Sequence, residues 1–112
     1  METATERLKK MTAWETEPEL TETEVGELLE RSGVVDAAGV APSDDNWTPT
    51  YDLNSAAFEG WMIKAGRASE LIEVDPPGSG ILTSRVFENC LAMARIYSKR
   101  RRASARITVT NG

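Results

Sequence analysis

Very little in this chain can do covalent chemistry. Cys90 is its one thiol, and it has no histidine at all. A single cysteine forms no intrachain disulfide and no metal-holding cysteine cluster. Without imidazole there are no thiol–imidazole pairs, no Ser-His-Asp triads and none of the commonest zinc sites. Carboxylates remain. Asp44 and Asp45 near Asp52 could catch a cation, but turn and helix-cap roles account for all three. The acidic run from Glu15 to Glu30 contains no Asp-x-Asp-x-Asp-Gly loop, so calcium is not expected. Gly78-Ser79-Gly80 lacks the lysine of a phosphate-binding loop. Cys90 falls on an apolar helical stripe and reads as a small core residue. The expectation is a protein without catalytic residues, metal or cofactor, and not an enzyme.

What the chain does carry is separated charge. Its net charge of −5 combines seven acids and no base between Trp14 and Glu30 with seven bases and one acid, Glu88, between Arg85 and Arg106. The cluster Lys99, Arg100, Arg101 and Arg102, with Arg106, admits three readings. It is a solvated helix end, where cations complement the dipole. Alternatively it meets an acidic protein surface, such as the Glu-rich segment of a neighbouring copy, or the phosphates of a nucleic acid. No aromatic residues interleave the cluster as a base-stacking platform would require.

Helices must position these charges. At 112 residues the chain has room for one domain, and 40% hydrophobic with 28% charged residues is a globular composition. No apolar run approaches the roughly 20 residues of a membrane span. The first residues lack the basic start and apolar stretch of a signal peptide, so synthesis in the cytoplasm is expected. Residues 1–19 form an N-terminal extension in which Leu8, Met11 and Trp14 fit one short amphipathic helix ending before Pro18. Helices of that length are marginal alone and need a surface to pack on. Thr21 followed by Glu24 is a capping box. It opens a helix over about 22–32, with the stripe Val25, Leu28, Leu29 and with Gly33 as its stop.

Residues 34–50 read as a loop in which Val34, Val35 and Val40 fasten to the core and Trp47 is packed. The longest helix spans about 53–73, capped by Asp52 or Thr50. One face carries Leu53, Ala57, Trp61, Ala65, Ala68, Leu71 and Ile72, and Phe58 and Met62 widen it. Gly60 and Gly66 each cost about 1 kcal/mol relative to alanine in a helix interior, which close packing should offset. After Asp75-Pro76-Pro77, Thr83 or Ser84 caps a last helix over about 84–101. Its buried stripe is Val86, Phe87, Cys90, Leu91, Ala94 and Tyr97, widened by Met93 and Ile96. Residues 103–112 change period. Ile107 and Val109 alternate with polar residues as in a half-buried strand, so this C-terminal arm either frays or adds to another chain's sheet. The fold class is therefore all-α, a small bundle of three main helices over 20–102.

The run from Thr50-Tyr51-Asp52-Leu53-Asn54 through Ala56-Ala57 and Glu59-Gly60-Trp61 to Lys64-Ala65 and Ala68 resembles the central helix of small head–tail connector (adaptor) proteins of long-tailed bacteriophages. Trp47 stands in the preceding loop as in that family. The segment Leu20 to Leu29 looks like its first helix, and Val86 to Ala94 is similar to the aliphatic helix that closes its bundle. The likeness covers roughly residues 20–102. The Pro76-Pro77 turn and residues 1–19 depart from the pattern, so nothing is carried over there.

The resemblance implies a structural virion protein at the phage neck. It would form a homo-oligomeric ring, often a dodecamer, beneath the portal protein, extending the DNA channel and docking tail-completion or stopper proteins. The expected partner and channel contacts are Lys99, Arg100, Arg101, Arg102, Arg106, Ile107 and Val109, with non-specific DNA contact in the channel and no membrane. The family's C-terminal arm reaches towards the portal, which suits 106–110. The competing expectation is a small DNA-binding regulator using the basic last helix. Against it, the connection at 74–82 is long and proline-rich for a helix-turn-helix, and the arginines gather at the helix's far end.

Overall fold

Short amphipathic stretches that cannot stay helical alone do so here by sharing one core. The computed structural model describes residues 2–74 and 80–101, and side chains within 2–70 and 84–101. Four helices follow in order: α1 (Ala4–Met11), α2 (Glu22–Arg31), α3 (Leu53–Val74) and α4 (Gly80–Arg100). The protein is an all-α helical bundle. The 106–110 stretch read as a strand lies outside the described residues, as do Arg102, Arg106, Ile107 and Val109.

Local chemistry sets the helix ends. Thr3 Oγ1 accepts from the Glu6 N–H at 3.1 Å and starts α1. α1 ends at Met11, so Trp14 lies beyond it in a turn rather than on its last coil. That turn is a Schellman closure. The Trp14 N–H donates to Lys9 O and the Ala13 N–H to Lys10 O, each at 3.2 Å, with Ala13 in the left-handed region at φ 47°. The capping box of α2 is present in both directions: Thr21 Oγ1 accepts from the Glu24 N–H at 3.1 Å, and Glu24 Oε1 from the Thr21 N–H at 2.8 Å.

α2 ends where expected, with Gly33 directly after its C-cap Ser32 and the Gly33 N–H donating to Glu30 O at 3.3 Å. The Ser32 hydroxyl adds a bond to Leu29 O at 2.8 Å. Gly33 also forms an isolated antiparallel bridge with Tyr51. Asp52, not Thr50, caps α3 by accepting from the Ser55 N–H at 3.2 Å.

α4 begins at Gly80, a turn earlier than expected, so Thr83 and Ser84 lie inside it. Lengthening a nucleated helix gains a hydrogen bond per residue, which outweighs the capping tendency of those two hydroxyls.

The 34–50 loop is closed at its base. The Val34 N–H donates to Thr50 O at 2.9 Å and the Asp52 N–H to Ser32 O at 2.8 Å. Asp36, rather than the valines, organises its interior; Val35 is 49% exposed. The Asp36 carboxylate accepts from the Ala38, Val40 and Thr48 N–H groups at 2.8–2.9 Å. Trp47 is half-buried, as expected, with Nε1 donating to Val34 O at 2.8 Å and its ring edge-on to Tyr51.

The main core joins Leu8, Leu20, Val25, Leu28, Ala56 and Ala57, with Met11, Leu29, Ile63 and Tyr97 packed around it. Residues from α1, α2 and α3 thus share one apolar cluster. Ala65 and Ala68 on α3 and Cys90 and Ala94 on α4 are also buried. Alanines on facing helices allow close approach, and the α3–α4 contact is the most extensive helix–helix contact in the protein. α3 contacts all three other helices, whereas neither α1 nor α2 approaches α4. α3 is therefore the central rod, with α1 and α2 on one flank and α4 on the other.

Because α4 has one helical neighbour, only a narrow face of it is covered. Cys90 and Ala94 are buried, but Val86 is 36% and Ile96 40% exposed, so neither belongs to the buried stripe. Met62 on α3 is 44% exposed, on the side that no other described helix covers.

Candidate assembly interface

The surface of the bundle divides by charge along its flanks. On α2, Glu27 and Glu30 are exposed and turned away from the buried Val25 and Leu28. On α4, Arg85, Arg95, Lys99 and Arg100 are exposed with Glu88 as the one acid among them. Among the described residues, no ion pair involves Glu27, Glu30, Arg85, Arg95 or Lys99. Other acids do find cations: Glu22 pairs with Lys9 at 2.8 Å, Glu59 with Arg31 at 3.6 Å, Glu24 with Arg67 and Glu2 with Lys10.

Between the flanks runs an open apolar ridge. Phe58 and Met62 stand on α3 with a groove on each side. One, of about 280 Å³, is lined by Arg31, Phe58, Glu59, Met62 and Ile63. The other, of about 250 Å³, lies between α3 and α4, with Leu91, Arg95, Ser98 and Lys99 on its α4 wall. Among the described residues no group of acids, cysteine or histidine could hold a metal.

Of the basic residues singled out by sequence, Lys99 and Arg100 are exposed in the last turn of α4. The Arg101 guanidinium lies 4.6 Å from the Phe58 ring centroid and donates to Ser98 O, a cation–π contact that covers one end of the ridge. The Arg100 guanidinium is 5.9 Å from the Tyr97 ring, and Arg100 O accepts from Asn54 Nδ2 at 3.1 Å, tying the end of α4 to the start of α3. Cation placement at this helix end thus has a local structural role in addition to any contact outside the chain. Asp44 accepts from the Asn46 N–H at 2.8 Å, an ordinary turn role. Cys90 is buried, and burial pushes its thiol up from the usual range, away from nucleophilic use.

A buried lysine was not singled out by sequence. Lys64 is 1% exposed. Its ammonium donates to the carbonyls of Thr12, Ala13 and Thr16 at 3.0, 2.5 and 2.9 Å and lies 4.7 Å from the Trp61 ring. Burial pulls its pKa below the ordinary lysine range. Trp61 Nε1 adds a bond to Met11 O at 3.0 Å, and Arg67 one to Glu19 O at 2.7 Å. Three α3 side chains thus hold the end of α1 and the α1–α2 connection by their backbone carbonyls. The signal was present in the four-residue steps from Ala56 through Gly60 to Lys64, which put the lysine on the buried face.

No helix among the described residues is long and apolar enough to cross a membrane. Comparison with known protein families, curated proteins and solved structures finds no match to this chain.

Proposed function

We propose that this protein is a structural connector of a phage neck, a head–tail adaptor whose copies form a ring beneath a portal protein. The ring extends the DNA channel and receives a tail-completion or stopper protein. One observation carries the reading: unpaired acids and unpaired bases occupy opposite flanks of the same rod, with the Phe58–Met62 ridge open between them. Among the described residues of one molecule those charges have no partner but solvent. Head-to-tail contact with further copies would pair them, and such heterologous contacts close into rings when the rotation permits. The resemblance of the 50–68 segment to phage adaptors gives that assembly its place in the virion, and synthesis in the host cytoplasm precedes it.

Within this reading Arg100 and Arg101, with Arg102, Arg106, Ile107 and Val109, are the proposed contacts with the portal or the channel DNA, while Lys99 lies on the wall of the α3–α4 groove. The test is the mass of the full chain mixed with its cognate portal protein, read by native mass spectrometry. A portal-bound ring of the chain is expected. A species that stays monomeric and ignores the portal overturns the proposal. The second reading, a DNA-binding regulator, draws on the unpaired Arg85, Arg95 and Lys99 of α4; it calls for sequence-specific, salt-dependent duplex binding.

A further inference from the structure

We infer that the α3–α4 groove receives the acidic outer stripe of α2 from a second copy of this chain. The inference rests on the self-assembly reading above and names the two surfaces that meet.

The groove has an apolar floor and a basic wall. Phe58 and Met62 line it from α3, and Leu91, Arg95 and Lys99 from α4. Both cations are exposed and lack an acid partner among the described residues. An apolar floor with a cationic rim fits an acidic helix better than bare phosphates, which would leave Phe58 and Met62 in water.

α3 also leaves room for a partner beside this groove. Gly66 follows Met62 by four residues and so shares its side of the helix. A Cβ added at Gly66 would meet nothing within 4 Å, while one at Gly60 would meet the Thr12 methyl at 2.8 Å. The chain itself explains the glycine at 60 and leaves the one at 66 open to close approach by another backbone.

The matching surface lies on the opposite flank. Thr23, Glu27 and Glu30 are exposed at i, i+4 and i+7, one stripe along α2. Since α2 and α4 do not approach each other, stripe and groove cannot meet within one molecule. Between molecules they meet head to tail, and each copy keeps one free groove and one free stripe for the next.

The test uses the full chain in sedimentation velocity over a concentration series at low salt. Wild-type protein is expected to associate, and added salt to weaken that association. R95E/K99E and E27K/E30K, each alone, should weaken association by at least about tenfold, because like charges then face one another. Mixing the two variants should restore it, since an acidic groove now meets a basic stripe and the reverse. Circular dichroism checks that both variants keep their helices. Variants that associate as well as wild type overturn this joint while leaving self-assembly standing. Loss of association that mixing does not restore, accompanied by loss of duplex DNA binding, overturns it in favour of nucleic acid. Wild-type chain that stays monomeric at every concentration overturns the joint; failure to bind the portal is a separate result that overturns the adaptor reading.

Discussion

Lys64 Nζ lies 3.0 Å from the carbonyl oxygen of Thr12, fifty-two residues earlier in the chain. The contact closes the C-terminal end of α1 from a different helix. Carbonyls just past a helix end have no intrahelical donor, and here one ammonium serves three of them. Burial alone makes a lysine costly, so the three acceptors and the Trp61 ring are what let it remain in place.

Replacing Lys64 with methionine keeps most of the apolar stem and removes the donor. The Thr12 and Thr16 carbonyls then lose this donor, while Ala13 O keeps the Thr16 N–H at 3.0 Å, and each buried unsatisfied group costs about 1–3 kcal/mol. Partial access of water to the turn reduces the sum, and Lys64→Met is expected to destabilise the fold by about 2–4 kcal/mol. Urea denaturation followed by circular dichroism reads this directly. A loss below the error of the measurement means the ammonium does not hold the turn.

Ala13, in the same turn, offers the opposite sign. Its φ of 47° is a left-handed conformation that costs an L-residue roughly 1–2 kcal/mol and glycine almost nothing. Ala13→Gly gives part of this back through greater freedom of the unfolded chain. The net expectation is a gain of about 0.5–1 kcal/mol, seen as a higher denaturation midpoint. A lower midpoint contradicts the left-handed closure of α1.

Acid should loosen the α2–α3 clasp. The Arg67 guanidinium, hydrogen-bonded to Glu24, together with the Thr21 N–H, lowers the Glu24 pKa from 4.5 to about 2. Asp36 is also lowered, chiefly by the Thr48 N–H. A depressed carboxylate contributes stability that is full above its unfolded pKa and is lost as pH falls through the folded value. The window for Glu24 therefore runs from about pH 4.5 down to about 2. Glu24→Gln should cost about 1–2 kcal/mol at neutral pH, after allowing for solvent screening. The difference from wild type should shrink as the pH is lowered through that window. A constant difference from pH 7 to 2 rules out this ion pair as the source.

The ease of reading this sequence varied by element, for physical reasons. α2 was legible almost to the residue because its start depends on side chains three positions apart, Thr21 and Glu24, which need no tertiary contact. α3 was legible because its length and apolar breadth leave few alternatives. The outer face of α4 was not. Val86 and Ile96 have the right character for burial, and their exposure reflects how many helices surround α4, which periodicity does not encode. Asp36 and Lys64 were missed for a related reason. Both bind backbone groups distant in sequence, and main-chain partners leave no trace in residue type. The basic cluster was visible at once, yet the unpaired state of Arg95 and Lys99 depends on which acids lie within reach of α4.

Trp47 tests whether the 34–50 loop depends on its indole. Trp47→Phe keeps a ring beside Tyr51 and removes the bond from Nε1 to Val34 O. One such bond contributes about 0.5–1.5 kcal/mol. The expected result is a loss in that range, with faster amide exchange at residues 34–50. Unchanged exchange there means that Asp36 and the base-closing bonds hold the loop without it.

The two helical glycines of α3 should respond to alanine in opposite directions. A Cβ at position 60 falls 2.8 Å from Thr12 Cγ2 and 3.4 Å from Leu28 Cδ1. Thr12 cannot swing aside, since it is fully buried and its hydroxyl is bonded to Leu8 O at 2.9 Å. α1 must therefore move, and overpacking of this kind costs about 1–3 kcal/mol, more than the roughly 1 kcal/mol gained in helix propensity. Gly60→Ala should lower stability by about 1 kcal/mol or more. Position 66 has no such obstacle, so Gly66→Ala should raise the stability of the isolated chain by about 0.5–1 kcal/mol. If alanine at 66 lowers stability in the dilute monomer, something within the chain already packs there, and the open face of α3 is not free to receive a partner.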